Sequence, residues 1–263
     1  MTQRMAGHVA LVSGGGGEIG GAIARRLASE GASILVTDVS GDKARAVAQA
    51  IADAGGRAAG LAVDVGDPAQ CEAATRDAVL RFGKLTTLVN SVATVTPDGR
   101  VEDLDLGDWE RALKINFTGM FLMCKYSMPK LREAGGGSVV NIASSHGHFA
   151  LHGRVGYCST KAAIIHFTRV LALDYGVENI RVNSISPGPI DTERSLRRYG
   201  TRANSNRIRG GGQALKRTGT VEEVANAALF LASEEASFVT GADLRVDGGQ
   251  TIWKKEEPAT DGV

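Results

Sequence analysis

Residues 138–172 read SVVNIASSHGHFALHGRVGYCSTKAAIIHFTRVLA and combine an apolar run, a loop rich in Gly and His, and a helix-like segment. The apolar run, 138–143, is typical of a strand that is buried on both faces of a parallel sheet. Ser144 stands where this run ends. Tyr157 and Lys161 lie four residues apart in the helix-like segment, which places them on one helical face with Cβ atoms about 5–6 Å apart. The stretch therefore predicts a strand, a loop and a helix that bring three polar side chains together.

These three side chains indicate a proton-transfer site. A free tyrosine has a pKa of about 10, which is too high for proton transfer near neutral pH, and a neighbouring ammonium group favours the phenolate. A serine hydroxyl at the end of the strand would hold a substrate oxygen against the phenol. We therefore predict proton transfer at a carbonyl or alcohol. Because a Tyr and a Lys at this spacing also occur by chance in many helices, the interpretation requires a redox partner elsewhere in the chain.

A second stretch, near the N-terminus, predicts that partner. An apolar run, 8–12, is followed by SGGGGEIG (13–20) and by an amphipathic helix. Strand, glycine turn and helix form a dinucleotide-binding fingerprint, because glycines let the backbone approach the pyrophosphate and the helix N-terminus supplies N–H groups. A merely flexible loop is the alternative. The candidate cofactor contacts here are Ser13, Gly14, Gly17, Glu18, Ile19 and Gly20.

The cofactor choice depends on Asp38, which ends the second predicted strand, 33–38. An acidic residue about 20 residues past the glycine turn hydrogen-bonds the adenosine ribose of NAD. Its charge would repel the 2′-phosphate of NADP, and no Arg follows within the next three residues. We therefore expect NAD rather than NADP. The alternative role of Asp38 is to stabilise the turn at Ser40 and Gly41.

The rest of the chain alternates apolar runs with helix patterns. Further strands are predicted at 58–63, 86–90, 180–185 and 243–246, and helices at 43–54, 68–82, 108–131 (capped by Asp108) and 221–232. This alternation predicts an α/β protein, a single-domain doubly wound Rossmann fold over residues 1–263 with a seven-stranded parallel sheet and helices on both faces. Ligands bind such sheets beyond the carboxyl ends of the strands. The residues predicted at those ends are Gly14, Asp38, Asp64, Asn90, Ser144 and Pro187.

Composition limits the function classes. The chain has 263 residues, 43% of them hydrophobic and 22% charged, with a net charge of +1, so no global field attracts nucleic acid or an anionic membrane. Its three scattered cysteines match neither a disulfide framework nor a metal site and indicate a reducing cytoplasm. No apolar run approaches the ~20 residues of a membrane span, and the first strand leaves no room for a signal peptide. We expect a cytoplasmic protein with a small-molecule partner.

Together these motifs resemble the short-chain dehydrogenase/reductase family, and the resemblance extends from about residue 7 to residue 253. SGGGGEIG (13–20) is similar to the family's T-G-x-x-x-G-I/L-G, with Ser13 in place of Thr and Glu18 in place of Gly. Ser144 precedes Tyr157 by the family's 13 residues, and YCSTK (157–161) matches Y-x-x-x-K. PGPIDT (187–192) matches P-G-x-I-x-T, whereas NSVA (90–93) matches N-N-A-G only in part.

The resemblance implies hydride transfer between NAD and a secondary alcohol or ketone by a catalytic tetrad. Tyr157 would be the acid/base, Lys161 would bind the nicotinamide ribose and favour the phenolate, Ser144 would bind the substrate oxygen, and Asn116 would anchor a water molecule. It also implies a homotetramer, with a dimer as the alternative. The further cofactor contacts that it implies are Asp64 and Val65 at the adenine, Asn90 at the cofactor loop, and Pro187, Gly188, Ile190 and Thr192 near the nicotinamide.

The departures from the family pattern leave alternatives open. Glu18 is unfavourable beside a pyrophosphate if it points inward, but it complements the helix dipole if it points outward. Ser91 and Ala93 change the loop over the cofactor. The other functions considered are a non-catalytic NAD-binding regulator, an NADP-dependent 3-oxoacyl-type ketoreductase, and an epimerase of the extended relatives, which carry a longer C-terminal region.

Two polar segments invite other interpretations. His146, His148 and His152 share one loop, but no Cys or acidic ligand completes a site nearby, so we expect no metal and solvated histidines, with one of them open to substrate contact. The Arg-rich segment 193–217 corresponds to the substrate lid of the family, and it is either a solvated face or an anion-binding cluster. The tail, 254–263, is expected to fray.

Overall fold

The computed structural model describes residues 3–252, which form one sheet with helices around it. The strands are β1 (Val9–Ser13), β2 (Ser33–Asp38), β3 (Arg57–Ala62), β4 (Thr87–Asn90), β5 (Gly137–Ile142), β6 (Ile180–Pro187) and β7 (Asp243–Val246). The α-helices are α1 (Glu18–Ser29), α2 (Gly41–Asp53), α3 (Pro68–Phe82), α4 (Leu106–Leu113), α5 (Gly119–Glu133), α6 (Val155–Tyr175), α7 (Glu193–Tyr199), α8 (Arg202–Arg209) and α9 (Val221–Ala232). The predicted elements are present with bounds shifted by at most about two residues, and the long helix predicted after Asp108 is interrupted.

The sheet has the predicted architecture. Its strand order is β3-β2-β1-β4-β5-β6-β7, and every neighbouring pair is parallel. Strand β1 pairs with β2 on one side and with β4 on the other, so the strand order reverses between β1 and β4. This is the topological switch point, and ligands of doubly wound sheets bind beyond the carboxyl ends of the strands there.

The sheet is buried between two hydrophobic cores. Alternate residues of a strand point to opposite faces, and in β1 Val12 belongs to one core while Leu11 belongs to the other. The first core contains Leu27 of α1 and Leu229 of α9, and the second contains Ile164 of α6. Burial on both faces explains why the strands read as continuous apolar runs in the sequence.

The cap predicted at Asp108 is wrong, whereas the helix predicted over 108–131 is present as α4 and α5 with a π-helical turn between them. Helix α4 begins two residues earlier, because the Asp105 carboxylate accepts the backbone N–H of Gly107 at 2.8 Å, whereas Asp108 forms an ion pair with Arg111. A π-helical turn, Lys114–Thr118, then separates α4 from α5. Two aspartates of equal capping ability stand three residues apart in the sequence, and only the chain path selects between them.

The Arg-rich segment 193–217 folds into α7 and α8 although its sequence shows little apolar periodicity. Polar contacts take the place of an apolar stripe. The Thr192 and Thr201 hydroxyls accept backbone N–H groups at the starts of the two helices, from Ser195 at 3.3 Å and from Asn204 at 3.2 Å. Hydroxyl capping of this kind stabilises a helix by about 0.5–2 kcal/mol.

The tail predicted to fray, 254–263, lies outside the described residues. No helix within residues 3–252 is both long enough and apolar enough to cross a membrane.

Candidate active site

The glycine turn between β1 and α1 is packed too closely for side chains. Gly14 has a φ of +68°, and a Cβ on it would lie 2.8 Å from the backbone nitrogen of Val92. A Cβ on Gly20 would meet the carbonyl oxygen of Gly14. Gly17 precedes α1 and provides no side-chain acceptor for its first N–H groups. The turn is therefore shaped for close approach of a ligand, with the helix N–H groups suited to an anion.

Ser144, Tyr157 and Lys161 come together at the carboxyl end of β5. The Ser144 hydroxyl lines the same cavity as the Tyr157 phenol, close enough to favour its ionisation, and accepts the N–H of His146 at 3.2 Å. The Nζ atom of Lys161 lies 5.8 Å from the centroid of the Tyr157 ring and donates to the carbonyl oxygen of Ile142 at 2.8 Å. The strand end thus supplies the serine, and one helical face of α6 supplies the other two groups.

Burial dominates the acidity of the phenol and of the ammonium group. It raises the pKa of Tyr157 above its usual value, against smaller lowering effects from the Ser144 hydroxyl and from the charges of Arg194 and Arg154. It also lowers the pKa of Lys161 to about 8. The pKa of Tyr157 is therefore not below its ordinary value in this structure, because the cost of a charge in the protein interior exceeds the effect of its neighbours.

Asn116 lies in the π-helical turn and is 1% exposed. Its Oδ1 accepts the N–H of Thr94 at 2.7 Å, and its Nδ2 donates to the carbonyl oxygen of Thr94 at 2.9 Å and to the Thr160 hydroxyl at 3.2 Å. These contacts fix the loop after β4 against α6. The structure thus places Asn116 behind the Tyr157 and Lys161 face, as a residue that positions backbone.

An open cavity of about 700 Å³ lies between the glycine turn, the end of β5 and the segment that carries α7 and α8. It contains most of the residues that the sequence singled out. Those lining it are Gly14, Gly17, Glu18, Ile19, Gly20, Ser144, Tyr157, Lys161, Pro187, Gly188, Ile190 and Thr192. The glycine fingerprint, the Ser-Tyr-Lys group and the PGPIDT segment therefore share one cavity.

The other predicted site residues lie beside this cavity or beneath it. Ser13 and Asn90 are buried, with the Ser13 hydroxyl donating to Asn90 Oδ1 at 3.2 Å and Asn90 Nδ2 donating to Asn141 Oδ1 at 2.9 Å. Val65 is part of the second core and packs against Gly119. The Ser13 and Asn90 side chains thus join β1, β4 and β5 at their carboxyl ends and support the glycine turn from below.

The two aspartates at the ends of β2 and β3 are half-buried. Asp38 adjoins the glycine turn, since a Cβ on Gly16 would lie 2.8 Å from its carboxyl carbon, and its Oδ1 accepts the N–H of Ser40 at 3.0 Å. Asp64 Oδ1 accepts the N–H of Gly66 at 2.8 Å. Both carboxylates therefore shape the turns that follow β2 and β3.

Glu18 makes a contact that the sequence did not suggest. Both of its carboxylate oxygens accept the backbone N–H of Glu193, the first residue of α7, at 2.8 Å. The carboxylate therefore points along the cavity wall and joins the glycine turn to α7. Sequence reasoning considered only its own helix, because nothing local indicates a partner 175 residues away.

The histidine loop separates into different roles. The His148 Nε2 atom lies 2.7 Å from Asp243 Oδ2, within hydrogen-bond distance, which ties the loop to β7. His146 lines the cavity, its ring centroid lies 6.3 Å from that of Tyr157, and its buried Nδ1 has no hydrogen-bond partner among the described residues. Burial, followed by the charges of Arg154 and Arg209, lowers the pKa of His146, so its ring is neutral at pH 7.

Some lining residues were not predicted from the sequence. Leu151, Arg154 and Tyr199 face the same cavity, together with Arg194, Arg198 and Arg209 of the Arg-rich segment. Arg154 stands immediately before α6. That position, three residues before Tyr157, is the one local signal that could have identified it.

Comparisons with known proteins agree with this geometry. A family model described as enoyl-(acyl carrier protein) reductase matches residues 16–251. The chain is 40% identical over 258 residues to D-threitol dehydrogenase of Mycolicibacterium smegmatis, and 39% identical over 258 residues to trans-4-hydroxycyclohexanecarboxylate dehydrogenase of Sinomonas cyclohexanicum, with 95% of both chains covered in each case. The solved structure of a short-chain type dehydrogenase/reductase from Mycobacterium ulcerans superposes with a TM-score of 0.89 at 30% identity, covering 94% of this chain and 90% of that one. The chain belongs to the short-chain dehydrogenase/reductase family and is an oxidoreductase.

Proposed function

We propose that this oxidoreductase transfers a hydride between NAD and a secondary alcohol or ketone. The observation that carries the proposal is that Ser144, Tyr157 and Lys161 line the same cavity as the glycine turn. Two relatives are named for threitol and for trans-4-hydroxycyclohexanecarboxylate, and both compounds carry secondary hydroxyl groups. Their names support an alcohol as the substrate.

The chemistry assigned to the chain's own residues is acid–base chemistry at the carbinol oxygen. In the oxidative direction Ser144 holds that oxygen and Tyr157 accepts its proton, while in the reductive direction Tyr157 returns the proton. Lys161 stabilises the phenolate that forms when Tyr157 is deprotonated. The bound dinucleotide supplies the hydride acceptor or donor. Asn116 acts by holding the Thr94 loop and α6 in place around these groups.

NAD fits the residues present. Gly14 and Gly20 leave space for a pyrophosphate, since a Cβ on either residue would collide with backbone, and the first N–H groups of α1 are uncapped by Gly17. Asp38 adjoins the same turn, where its carboxylate would accept the ribose hydroxyls of NAD and repel the 2′-phosphate of NADP. Asp64 and Val65 are proposed to bound the adenine, and Asn90, Pro187, Gly188, Ile190 and Thr192 the nicotinamide end.

We also propose a homotetramer, a cytoplasmic location and a lid role for 193–217. The lid role rests on the positions of α7 and α8 at the cavity. The location rests on cysteine usage, since Cys71, Cys124 and Cys158 are free thiols.

The test is a spectrophotometric screen of the purified protein with NAD and with NADP against secondary alcohols, including threitol and 4-hydroxycyclohexanecarboxylate. We expect reduction of NAD, with kcat/KM for NAD at least about tenfold above that for NADP, a difference of about 1.4 kcal/mol. Tyr157→Phe should lower turnover by about 10²–10⁴-fold because the transferable proton is lost, while NAD binding is retained. Failure to oxidise any alcohol with either cofactor, or a loss below about tenfold in Tyr157→Phe, contradicts the proposal.

A further inference from the structure

The cavity is strongly cationic for a site that acts on an alcohol. Five cationic side chains line it and one carboxylate does. The cations are Arg154, Lys161, Arg194, Arg198 and Arg209, and the carboxylate is Glu18. Because Glu18 is already bonded to the N–H of Glu193, it does not pair with these cations. The pyrophosphate of the proposed cofactor would offset part of this positive charge, and a neutral alcohol would leave the rest without a partner inside the cavity.

The four arginines differ in exposure and in the groups beside them. Arg194 and Arg198 are exposed on α7, the helix that Glu18 joins to the glycine turn. The charges of Arg154 and Arg209 both act on His146, the neighbour of Tyr157. Arg194 acts on Tyr157, and Arg198 and Arg209 lie over the same Tyr199 ring. Arg154 and Arg209 are therefore the less exposed cations beside the reacting groups, where a substituent of the carbinol carbon could reach them.

The two cations near His146 are not equivalent. Arg154 is already paired, with its Nε 2.8 Å from Asp98. Arg209 forms no ion pair with any carboxylate of residues 3–252. The nearest candidate, Asp191, is occupied by Arg202 at 2.9 Å and by the Ser205 hydroxyl at 3.0 Å. Arg209 is thus a half-buried cation whose charge is not neutralised by a direct partner in the described part of the chain.

Arg209 is also held in one orientation. Its Nη1 donates to the carbonyl oxygen of Ile190 and to the Ser205 hydroxyl, each at 3.4 Å, and its guanidinium carbon lies 5.5 Å from the centroid of the Tyr199 ring. No hydrogen bond to its Nε or Nη2 is formed by residues 3–252. A guanidinium that is fixed by backbone and ring contacts, with donors to spare, suits bidentate binding of a carboxylate.

We propose that the substrate is a hydroxy acid or the corresponding oxo acid, and that Arg209 binds its carboxylate while Ser144 and Tyr157 act on its carbinol oxygen. This inference rests on the proposed function. Arg209 is then the residue that determines specificity for an anionic substrate. His146 and Tyr199, the ring on which the guanidinium packs, line the same cavity. The pyrophosphate of the cofactor is the other anion that Arg209 could serve, and the experiment separates the two.

The experiment measures kcat/KM with NAD for 4-hydroxycyclohexanecarboxylate, for its carboxamide and for cyclohexanol. We expect the wild-type protein to prefer the carboxylate over the carboxamide by at least about tenfold, the range of a charge-assisted pairing. Arg209→Gln should remove that preference through a rise in KM for the carboxylate, with the carboxamide changed less than about threefold. Arg209→Lys, which keeps the charge but not the fork of donors, should retain part of it.

Arg207→Gln is the matched control, because Arg207 lies on the same helix, is exposed and, within residues 3–252, hydrogen-bonds Asn204 alone. It should leave the preference and both KM values unchanged. Three results overturn the inference. The first is an equal kcat/KM of the wild-type protein for the carboxylate and the carboxamide, and the second is an equal loss of kcat/KM for both substrates in Arg209→Gln. The third is a rise in KM for NAD in Arg209→Gln with an unchanged preference for the carboxylate, which would assign Arg209 to the pyrophosphate.

A binding measurement keeps the inference testable without turnover. Cyclohexanecarboxylate, which has no hydroxyl to oxidise, should raise the melting temperature of the NADH-bound wild-type protein more than cyclohexanecarboxamide does, and Arg209→Gln should abolish the difference. If no alcohol is oxidised while this difference is present, the proposed function fails and the anion site stands. If alcohols are oxidised and the difference is absent, the anion site fails alone.

Discussion

Lys161 is the largest side chain buried below 2% exposure in the described residues. Burial lowers its pKa from an ordinary 10.5 to about 8, so the folded protein holds the ammonium group less readily than the unfolded chain does. Between pH 8 and 10.5 the unfolded state binds more protons, and the free energy of unfolding therefore rises with pH in that window. Below pH 8 the lysine is charged in both states, and its destabilising effect is fully present.

Lys161→Met is therefore expected to stabilise the cofactor-free protein at pH 7 while it abolishes turnover. We expect a gain of about 1–3 kcal/mol in the free energy of unfolding, which is the desolvation effect less the lost hydrogen bond to Ile142. Urea denaturation at several pH values measures it, and the gain should shrink as the pH rises from 8 to 10.5. Lys84→Met, at an exposed position, is the control and should show no such pH dependence. A destabilised Lys161→Met protein at pH 7 would contradict the argument.

The proximity of Ser144, Tyr157 and Lys161 could be predicted from the sequence, but the pKa values of the tyrosine and the lysine could not. The spacing of Tyr157 and Lys161 on one helical face, and the position of Ser144 at a strand end, follow from periodicities of 3.6 and 2, so their proximity was predictable. The pKa values of Tyr157 and Lys161 were not predictable, because their burial depends on packing by β5, by α7 and by the loop before α6. Arg209 illustrates the same limit, since only the fold shows that Asp191 is occupied by Arg202.

At the element scale, the contact between Glu18 and α7 connects the cofactor side of the cavity to the proposed lid. The carboxylate is exposed, lines the cavity and stands where the family pattern has glycine. A phosphate bound at the α1 N-terminus would experience repulsion from it, on the order of 1 kcal/mol for unit charges about 4 Å apart in water.

Glu18→Gln is expected to tighten NAD binding by roughly twofold to fivefold, because the amide oxygen still accepts the Glu193 N–H while the like charge is removed. Fluorescence titration with NADH gives the Kd directly. Glu193→Gln is the matched control, since its backbone N–H is kept and its carboxylate pairs with Arg197. Weaker binding in Glu18→Gln alone would show that the charge of Glu18 is needed to hold α7 in place.

Element boundaries show a second limit of sequence reasoning. Amphipathic segments such as α9, with Thr220 as its N-cap and Glu223 completing a capping box, were predictable because the local signals agree. The break between α4 and α5 was not, since the π-helical turn is held by the Asn116 amide bonding Thr94, 22 residues earlier. Helices α7 and α8 likewise depend on Asp191 and on the hydroxyl caps, which periodicity does not reveal.

At the scale of the whole molecule, the parallel sheet of seven strands was predictable from the alternation of strands and helices, because parallel strands need crossover helices.

The outer surface of the protein carries exposed apolar side chains. Leu173 of α6 is 83% exposed, Val177 just after that helix is 93% exposed, and Val170 of α6 and Phe121 of α5 are also exposed. Exposed apolar side chains of this kind are typical of a protein–protein interface.

Leu173→Asp is expected to reduce the homotetramer that we propose to dimers or monomers at micromolar concentration, because a carboxylate would be buried without a partner at the centre of the interface. Size-exclusion chromatography with light scattering measures the molar mass, and circular dichroism shows whether the subunit remains folded. Leu80→Asp is the matched control, since Leu80 is 75% exposed on a different helix, α3, and the molar mass of this variant should equal that of the wild-type protein. A wild-type monomer, or an unchanged mass in Leu173→Asp, would mean that this apolar surface of α5 and α6 is not the contact between subunits.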